Sequence, residues 1–413
     1  MQPFATLTHY AGFDWAKAEH QVVILEAGGQ VVAEFRFEHT AAGWQLCRDR
    51  LRRFPALGVA IETSQGAAVE KLLESGVTVY PVHPKRAQCY RQRYRPSGDK
   101  SDRVDARSLA DALRLDGAQW KALAPEDPLV QQLRLLCRDE VELIGQRTAL
   151  INQLQQALYE YYPTALAAFD DWSEPFAWAL VERFPTPQIL VAAGKRQWQK
   201  FLHVHKLWRP GTVDKRLELF ARATELAGNN AVTAAKSLLA VTLVKLLRAL
   251  QRQLDEYRSR IEQLFAQHPD HDLFGSLPGA GPKLSPRLLS ELGQDRDRFA
   301  DANGLQSYAG SAPVRYQSGG LERARMRRAC NHHLRQAVRL WANLSRAQCV
   351  WAHSYYQAQI ARGKNHETAL RCLGNRWLKI LWAMWQTRTP YDAELHTRNQ
   401  TEHGSWVLQL HPS

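Results

Sequence analysis

Four carboxylates and one serine stand where they could work on a phosphodiester. Asp102 and Asp105 lie three apart in Lys100-Ser101-Asp102-Arg103-Val104-Asp105-Ala106. With Ser101 as cap, they share one face of the first turns of a helix that continues through Leu109 and Ala110. Acids in a first helical turn are ordinary partners of the helix dipole, so the pair gains meaning from two others. Asp14 closes the run Tyr10-Ala-Gly-Phe-Asp14, and Glu62 closes Leu57-Gly-Val-Ala-Ile-Glu62. Carboxylates within a few ångströms of one another resist joint ionisation unless a cation sits among them. An oxygen-only set of this kind suits Mg²⁺ or Mn²⁺, and two such ions can hold the attacking and leaving oxygens of a phosphodiester. Ser318, in Gln317-Ser318-Gly319-Gly320, lies among Arg315, Arg323, Arg325, Arg327 and Arg328. A hydroxyl in an arginine nest can attack phosphorus while the cations steady the phosphoryl oxygens, although Gln-Ser-Gly-Gly alone reads as an accessible turn. A second basic run, Lys85, Arg86, Arg91, Arg93, Arg95, Lys100, Arg103 and Arg107, interleaved with Tyr90 and Tyr94, offers nucleic-acid contacts beside the acids.

These groups need a scaffold, and the chain before them reads as one. Residues 7–14, 21–25 and 31–37 are β-rich, with the turn signal Ala27-Gly28-Gly29 between the last two. A helical stretch over 41–53, a strand ending at Glu62, a helix over 66–75 and a strand over 77–82 follow. The order β-β-β-α-β-α-β-α predicts a mixed α/β sheet, which gathers ligands at the carboxyl ends of its strands. An actin-like ATPase shares the order, but Trp15 and Ala16 stand where its phosphate loop needs glycine.

Beyond this the pattern is helical. Leu129, Leu133, Leu136, Leu143, Leu150 and Leu154 run near heptad spacing, interrupted by Glu140 and Arg147, and Leu243, Leu247, Leu250, Leu254, Tyr257, Ile261 and Leu264 alternate four and three apart. They predict a coiled coil or long hairpin, paired within one chain or between two. Trp172, Trp178, Trp198 and Trp208 read as packed helical structure, and His203 and His205 lack partners at metal spacing. Leu277-Pro-Gly-Ala-Gly-Pro-Lys283 reads equally as a helix-hairpin-helix turn offering amides to phosphate or as a plain helical corner. The resulting division is 1–125 for the α/β domain, 126–270 for the helical region, 271–390 for a mainly α domain bearing the serine, and 391–413 for a polar tail.

The 413 residues carry 54 Lys and Arg against 41 Asp and Glu, a net charge of +13, which favours a polyanionic partner, nucleic acid first. Six scattered cysteines show no zinc spacing and read as reduced thiols of a cytoplasmic protein. No signal core and no membrane-length apolar window stands out, so no membrane partner is expected.

With acids and serine both in view, the chain resembles the bacterial insertion-sequence transposases related to the Piv invertases, which join an N-terminal RuvC-like (RNase H-like) DEDD domain to a serine-bearing transposase domain. The carriers are Gly12-Phe-Asp14-Trp-Ala-Lys, Ala60-Ile-Glu62-Thr-Ser-Gln-Gly, Tyr80-Pro-Val-His-Pro-Lys85, Lys100-Ser-Asp102-Arg-Val-Asp105-Ala, Leu277-Pro-Gly-Ala-Gly281, Tyr308-Ala-Gly-Ser-Ala-Pro313 and Gln317-Ser318-Gly-Gly. The resemblance implies that Asp14, Glu62, Asp102 and Asp105 are metal ligands and Ser318 the nucleophile of a DNA recombinase. It further implies guidance by a structured noncoding RNA, a bridge RNA pairing with element junction and target DNA, and a homo-oligomer, dimer or tetramer. Ser311 and Cys330 depart from the family pattern, where an aliphatic residue and a glycine are expected. A hydrolytic RuvC-like junction nuclease and a non-catalytic nucleic-acid-binding protein are the competing functions.

Overall fold

The structure, a computed structural model, describes residues 2–64, 66–94, 101–318 and 321–404. They fall into two compact units, residues 1–126 and 127–413.

The first unit is built on β1 (His9–Asp14), β2 (Glu19–Glu26), β3 (Val31–Glu38), β4 (Leu57–Ile61) and β5 (Thr78–Pro81), in the spatial order β3-β2-β1-β4-β5. The first three form an antiparallel meander, and β4 and β5 add on parallel to β1. This is the α/β sheet expected from the element order. Alternation along β1 sends Ala11 and Phe13 into a core with Phe37 and with Trp44 of α1 (Ala41–Leu51) and Leu72 of α2 (Ala67–Glu74). The same alternation turns Tyr10 and Gly12 to the opposite face, where α3 (Pro84–Tyr94) and α4 (Asp102–Asp116) lie; Leu109 and Leu113 of α4 pack there with Tyr10, Ala60 and Tyr80. Gly12 lets α4 come this close. A Cβ at that position would stand 1.8 Å from the Ala106 carbonyl oxygen and 2.6 Å from the Ala110 nitrogen, so any side chain there pushes α4 off the sheet.

The second unit is organised by α5 (Pro128–Tyr161) and α10 (Asn230–Ala266), which run antiparallel within the one chain. At one end of the pair, α6 (Pro163–Ala168), α7 (Pro175–Arg183), α8 (Pro187–Val204) and α9 (Val213–Ala221) close a core holding Trp172, Trp178 and Trp198. The indole N–H groups of Trp178 and Trp198 donate to backbone carbonyls, so these rings are packed structure; Trp208 is exposed and stacks on His203. At the other end, α11 (His271–Gly275), α12 (Gly281–Leu292) and α13 (Ala302–Tyr308) form a second core with α14 (His332–Gln348), α15 (Val350–Ala361) and α16 (His366–Thr387). Between the two cores, around buried Leu254, the residues that break the leucine pattern meet across the pair. Glu140 accepts from Nε of Arg258 at 3.2 Å, and Nη1 of Arg147 donates to Gln251 at 2.7 Å. Polar matches of this kind fix the register of two helices.

One sequence expectation needs correction here. α10 does contain an 18-residue window of mean hydropathy 1.4, long and apolar enough to cross a membrane by composition, of which 28% is buried; its Ala240, Leu243, Val244 and Leu247 lie in the first of these cores. The polar tail from 391 begins as structure: α17 (Ala393–Glu402) is capped by Asp392, and Tyr391 accepts from the Trp351 indole at 3.0 Å. Residues 405–413 lie outside the described part.

Candidate active site

In the first unit, the register of β1 and β4 pairs Phe13 with Ile61, so Asp14 and Glu62 follow side by side at the carboxyl ends of two parallel strands. Each lies two residues beyond a residue that faces α4, Gly12 in one strand and Ala60 in the other, and alternation turns both acids to that face. Ser101 caps α4 through its hydroxyl, which accepts from the Val104 amide. That start sets the phase of the helix: Asp105 is buried, with 6% of its side chain exposed, and Asp102 is exposed at the helix head. The site thus draws on β1, β4 and α4.

A cation already joins two of these acids. Arg91 of α3 donates from Nη2 to Oε1 of Glu62 at 3.2 Å and forms an ion pair through Nε with Asp105. The donor set, all carboxylate oxygens at the carboxyl ends of two central strands, fits a hard divalent cation, and the guanidinium shows that the place favours positive charge. As the side chains stand, no three acids, histidines or cysteines among the described residues gather closely enough to chelate an ion.

The turn after Asp14 is held from below. The Ala16 amide donates to Nδ1 of buried His20 at 3.3 Å, and His20 Nε2 lies 2.8 Å from His39 Nδ1. With Nδ1 accepting, neutral His20 carries its proton on Nε2 and donates to His39. Burial, and secondarily the neighbouring His39, lower the His20 pKa from 6.5 to about 4. The unfolded chain therefore binds the extra proton first as pH falls, and stability is lost below the unfolded value. Going from about pH 7 to about pH 5 should cost the first unit about 2 kcal/mol. Urea melts at the two pH values check this; a His20→Gln variant with the same pH slope as wild type would remove His20 as the cause.

Of the basic run, Lys85, Arg86 and Arg93 are exposed, and the Arg86 guanidinium lies 5.4 Å over the Trp120 ring. Tyr90 is tied by its hydroxyl to Asp116. Arg95 and Lys100 lie outside the described residues.

In the second unit, Ser318 ends β6 (Val314–Ser318), which pairs antiparallel with β7 (Leu321–Arg325). The backbone at Ser318 is a strand end paired with Leu321, and Gly319 and Gly320 of the expected turn lie outside the described residues. Arg315, Arg323, Arg325 and Arg328 are exposed, Arg327 less so, and Arg325 stacks 4.3 Å over the Tyr316 ring. The register sets Tyr316 opposite Arg323 and Val314 opposite Arg325, so Tyr316, Arg323 and Arg325 share one face of an exposed ribbon. Its base is anchored by residues that spacing did not single out. Asn331 caps α14 and donates to Glu291 at 2.6 Å and to the Tyr308 hydroxyl at 2.8 Å, and Glu291 receives both arms of Arg138 at 2.7 and 2.8 Å. Burial raises the Glu291 pKa, but the bonds from Arg138 and Asn331 outweigh it and hold the carboxylate ionised. The departure at Ser311 is accommodated, since its hydroxyl bonds Asn375 of α16.

The turn at Leu277–Gly281 is a packed corner. Gly279, at φ +79°, would place a Cβ 2.5 Å from the Ser345 nitrogen, and its amide donates to Gln348 at 2.8 Å. That amide is spent within the fold, which favours the corner over a phosphate-presenting hairpin.

Comparison with known proteins adds an independent line. Residues 11–163 match the IS110 DEDD transposase model, described as a transposase, and residues 271–357 match the model for the transposase IS116/IS110/IS902 family. The chain is 33% identical over 399 residues to the mini-circle putative transposase for IS117 of Streptomyces coelicolor, covering 94% of this chain and 96% of that protein. It is 28% identical over 389 residues to an uncharacterized 44.8 kDa protein of insertion element IS116 from Streptomyces clavuligerus, with 91% and 94% covered. A 42 kDa uncharacterized protein of insertion element IS900 from Mycobacterium paratuberculosis is 26% identical over 395 residues, with 92% and 96% covered.

Proposed function

The chain belongs to the IS110 family of transposases, and from that premise we propose a Mg²⁺- or Mn²⁺-dependent recombinase that cuts and rejoins DNA through a Ser318–phosphate linkage under the direction of a bridge RNA. It is an enzyme that acts on DNA, and its first unit has the RNase H-like α/β fold of a DEDD transposase domain. The observation that carries the metal reading is the placement of Asp14 beside Glu62 with buried Asp105 of α4 reaching the same guanidinium as Glu62. In this reading Asp14, Glu62, Asp102 and Asp105 hold the metal, which when bound supplies Lewis-acid stabilisation of the phosphodiester oxygens.

Ser318 acts as the nucleophile. Its oxygen forms a bond to phosphorus as the bond to one deoxyribose oxygen breaks, the serine proton is lost and the departing DNA hydroxyl gains one. Rejoining reverses the exchange with another DNA end, and one phosphoester bond replaces another, so no nucleoside triphosphate is needed. Arg315, Arg323, Arg325, Arg327 and Arg328 steady the phosphate, and Lys85, Arg86, Arg91, Arg93, Arg95 and Lys100 hold nucleic acid near the acids. The working form is a homo-oligomer, dimer or tetramer, in which the acids of one subunit complement the serine of another.

Purifying the full chain from its host and sequencing the RNA that accompanies it tests the guided part. One dominant structured RNA, encoded beside the gene and carrying loops complementary to two DNA sites, is the expected result. Heterogeneous RNA, or none after a moderate salt wash, would overturn RNA guidance.

A further inference from the structure

Arg91, unlike the other described cations of α3, is paired with the acids of the site. It comes from α3, Glu62 from the end of β4 and Asp105 from α4, so a single guanidinium ties three elements together at the centre of the acidic site. Only 24% of its side chain is exposed, whereas Lys85, Arg86 and Arg93 of the same helix face solvent. A guanidinium keeps its charge at any ordinary pH and has no lone pair to offer. It therefore cannot ease its repulsion with a divalent ion at Glu62 and Asp105 by neutralising itself, and the two cations compete for the same carboxylates.

We propose that Arg91 is an internal counter-ion that the divalent metal displaces, and that its release couples metal loading to nucleic-acid binding by α3. The proposal rests on the metal reading above. Before loading, Arg91 balances the charge of the two carboxylates and holds α3 against α4. On loading, its charge joins the solvent-facing cations of α3, where phosphate can take it. Linkage makes the effect reciprocal: nucleic acid that draws Arg91 away tightens the metal.

The test uses the full-length protein and Mn²⁺, with free Mn²⁺ read from its electron paramagnetic resonance signal. Arg91→Gln is expected to bind Mn²⁺ about tenfold or more tightly than wild type, the scale of losing charged hydrogen bonds. Adding a random-sequence DNA duplex should tighten Mn²⁺ binding in wild type and leave Arg91→Gln unchanged. Asp105→Asn should weaken binding in both backgrounds. Arg91→Lys, which keeps a cation without the fork, should fall between, and serves if Arg91→Gln does not fold. Equal or weaker Mn²⁺ affinity in Arg91→Gln, with Asp105→Asn still weakening it, overturns the counter-ion proposal alone. No Mn²⁺ uptake by wild type or Arg91→Gln overturns the metal reading and the proposal with it.

Discussion

Ser318→Ala should abolish the covalent protein–DNA adduct and lower strand exchange by roughly 10³-fold or more, because removing the attacking atom leaves only positioning. Ser318 lies at the end of β6, where its backbone is held by pairing with Leu321, and removing a hydroxyl from a strand end leaves that pairing intact. The arginines of the ribbon remain, so DNA affinity should change little. A labelled DNA substrate run on a denaturing gel separates the outcomes: wild type gives a retarded protein-linked band, and Ser318→Ala gives neither that band nor nicked product. A Ser318→Ala protein that still nicks DNA would assign cleavage to water activated at the acidic site, as in a junction nuclease, and would leave Ser318 without a chemical role.

The second large effect concerns stability. Glu140 is 2% exposed and accepts from Arg258 of α10 at 3.2 Å and Arg287 of α12 at 2.8 Å. Glu140→Ala leaves Arg287, itself buried, without its carboxylate, and breaking one side of a buried pair costs about 3–5 kcal/mol. Desolvation is the larger part of that loss, so removing both charges in Glu140→Leu with Arg287→Leu should restore most of it. Urea unfolding midpoints of the three proteins decide the matter. A Glu140→Ala midpoint within error of wild type would mean that Arg287 finds water or another acid.

Much of this was legible because strands announce their ends. The apolar runs closing on Asp14 and Glu62, and the cap at Ser101, were enough to place three elements and the acids on them, since alternation and helix phase are local properties. The same held for the long helices, whose interruptions Glu140 and Arg147 marked where polar side chains meet across the pair. Arg91 was legible only as one cation in a basic run, because its direction depends on how α3 lies against α4 and β4. Glu291, Arg138 and Asn331 are 40 to 193 residues apart and meet only through tertiary packing; nothing periodic connects them. Gly12, quoted only as part of a motif, could have been read further: a glycine two residues before a strand-end acid signals a close backbone neighbour. At Leu277–Gly281 local sequence fitted two structures, and a distant partner, Gln348, favours the corner by taking the Gly279 amide.

The α5–α10 pair imposes a rotational constraint on changes in length. Its two apolar ends face their own small helices and share only the rods between them, so adding one residue to each rod would turn one end relative to the other by about 100°. Seven residues added to both rods restore the facing to within about 20°, and lengthen the spacing by about 10 Å. The region is therefore tuned in whole heptads: its reach changes in steps, and intermediate lengths carry a torsional penalty borne by the Glu140–Arg258 and Arg147–Gln251 matches.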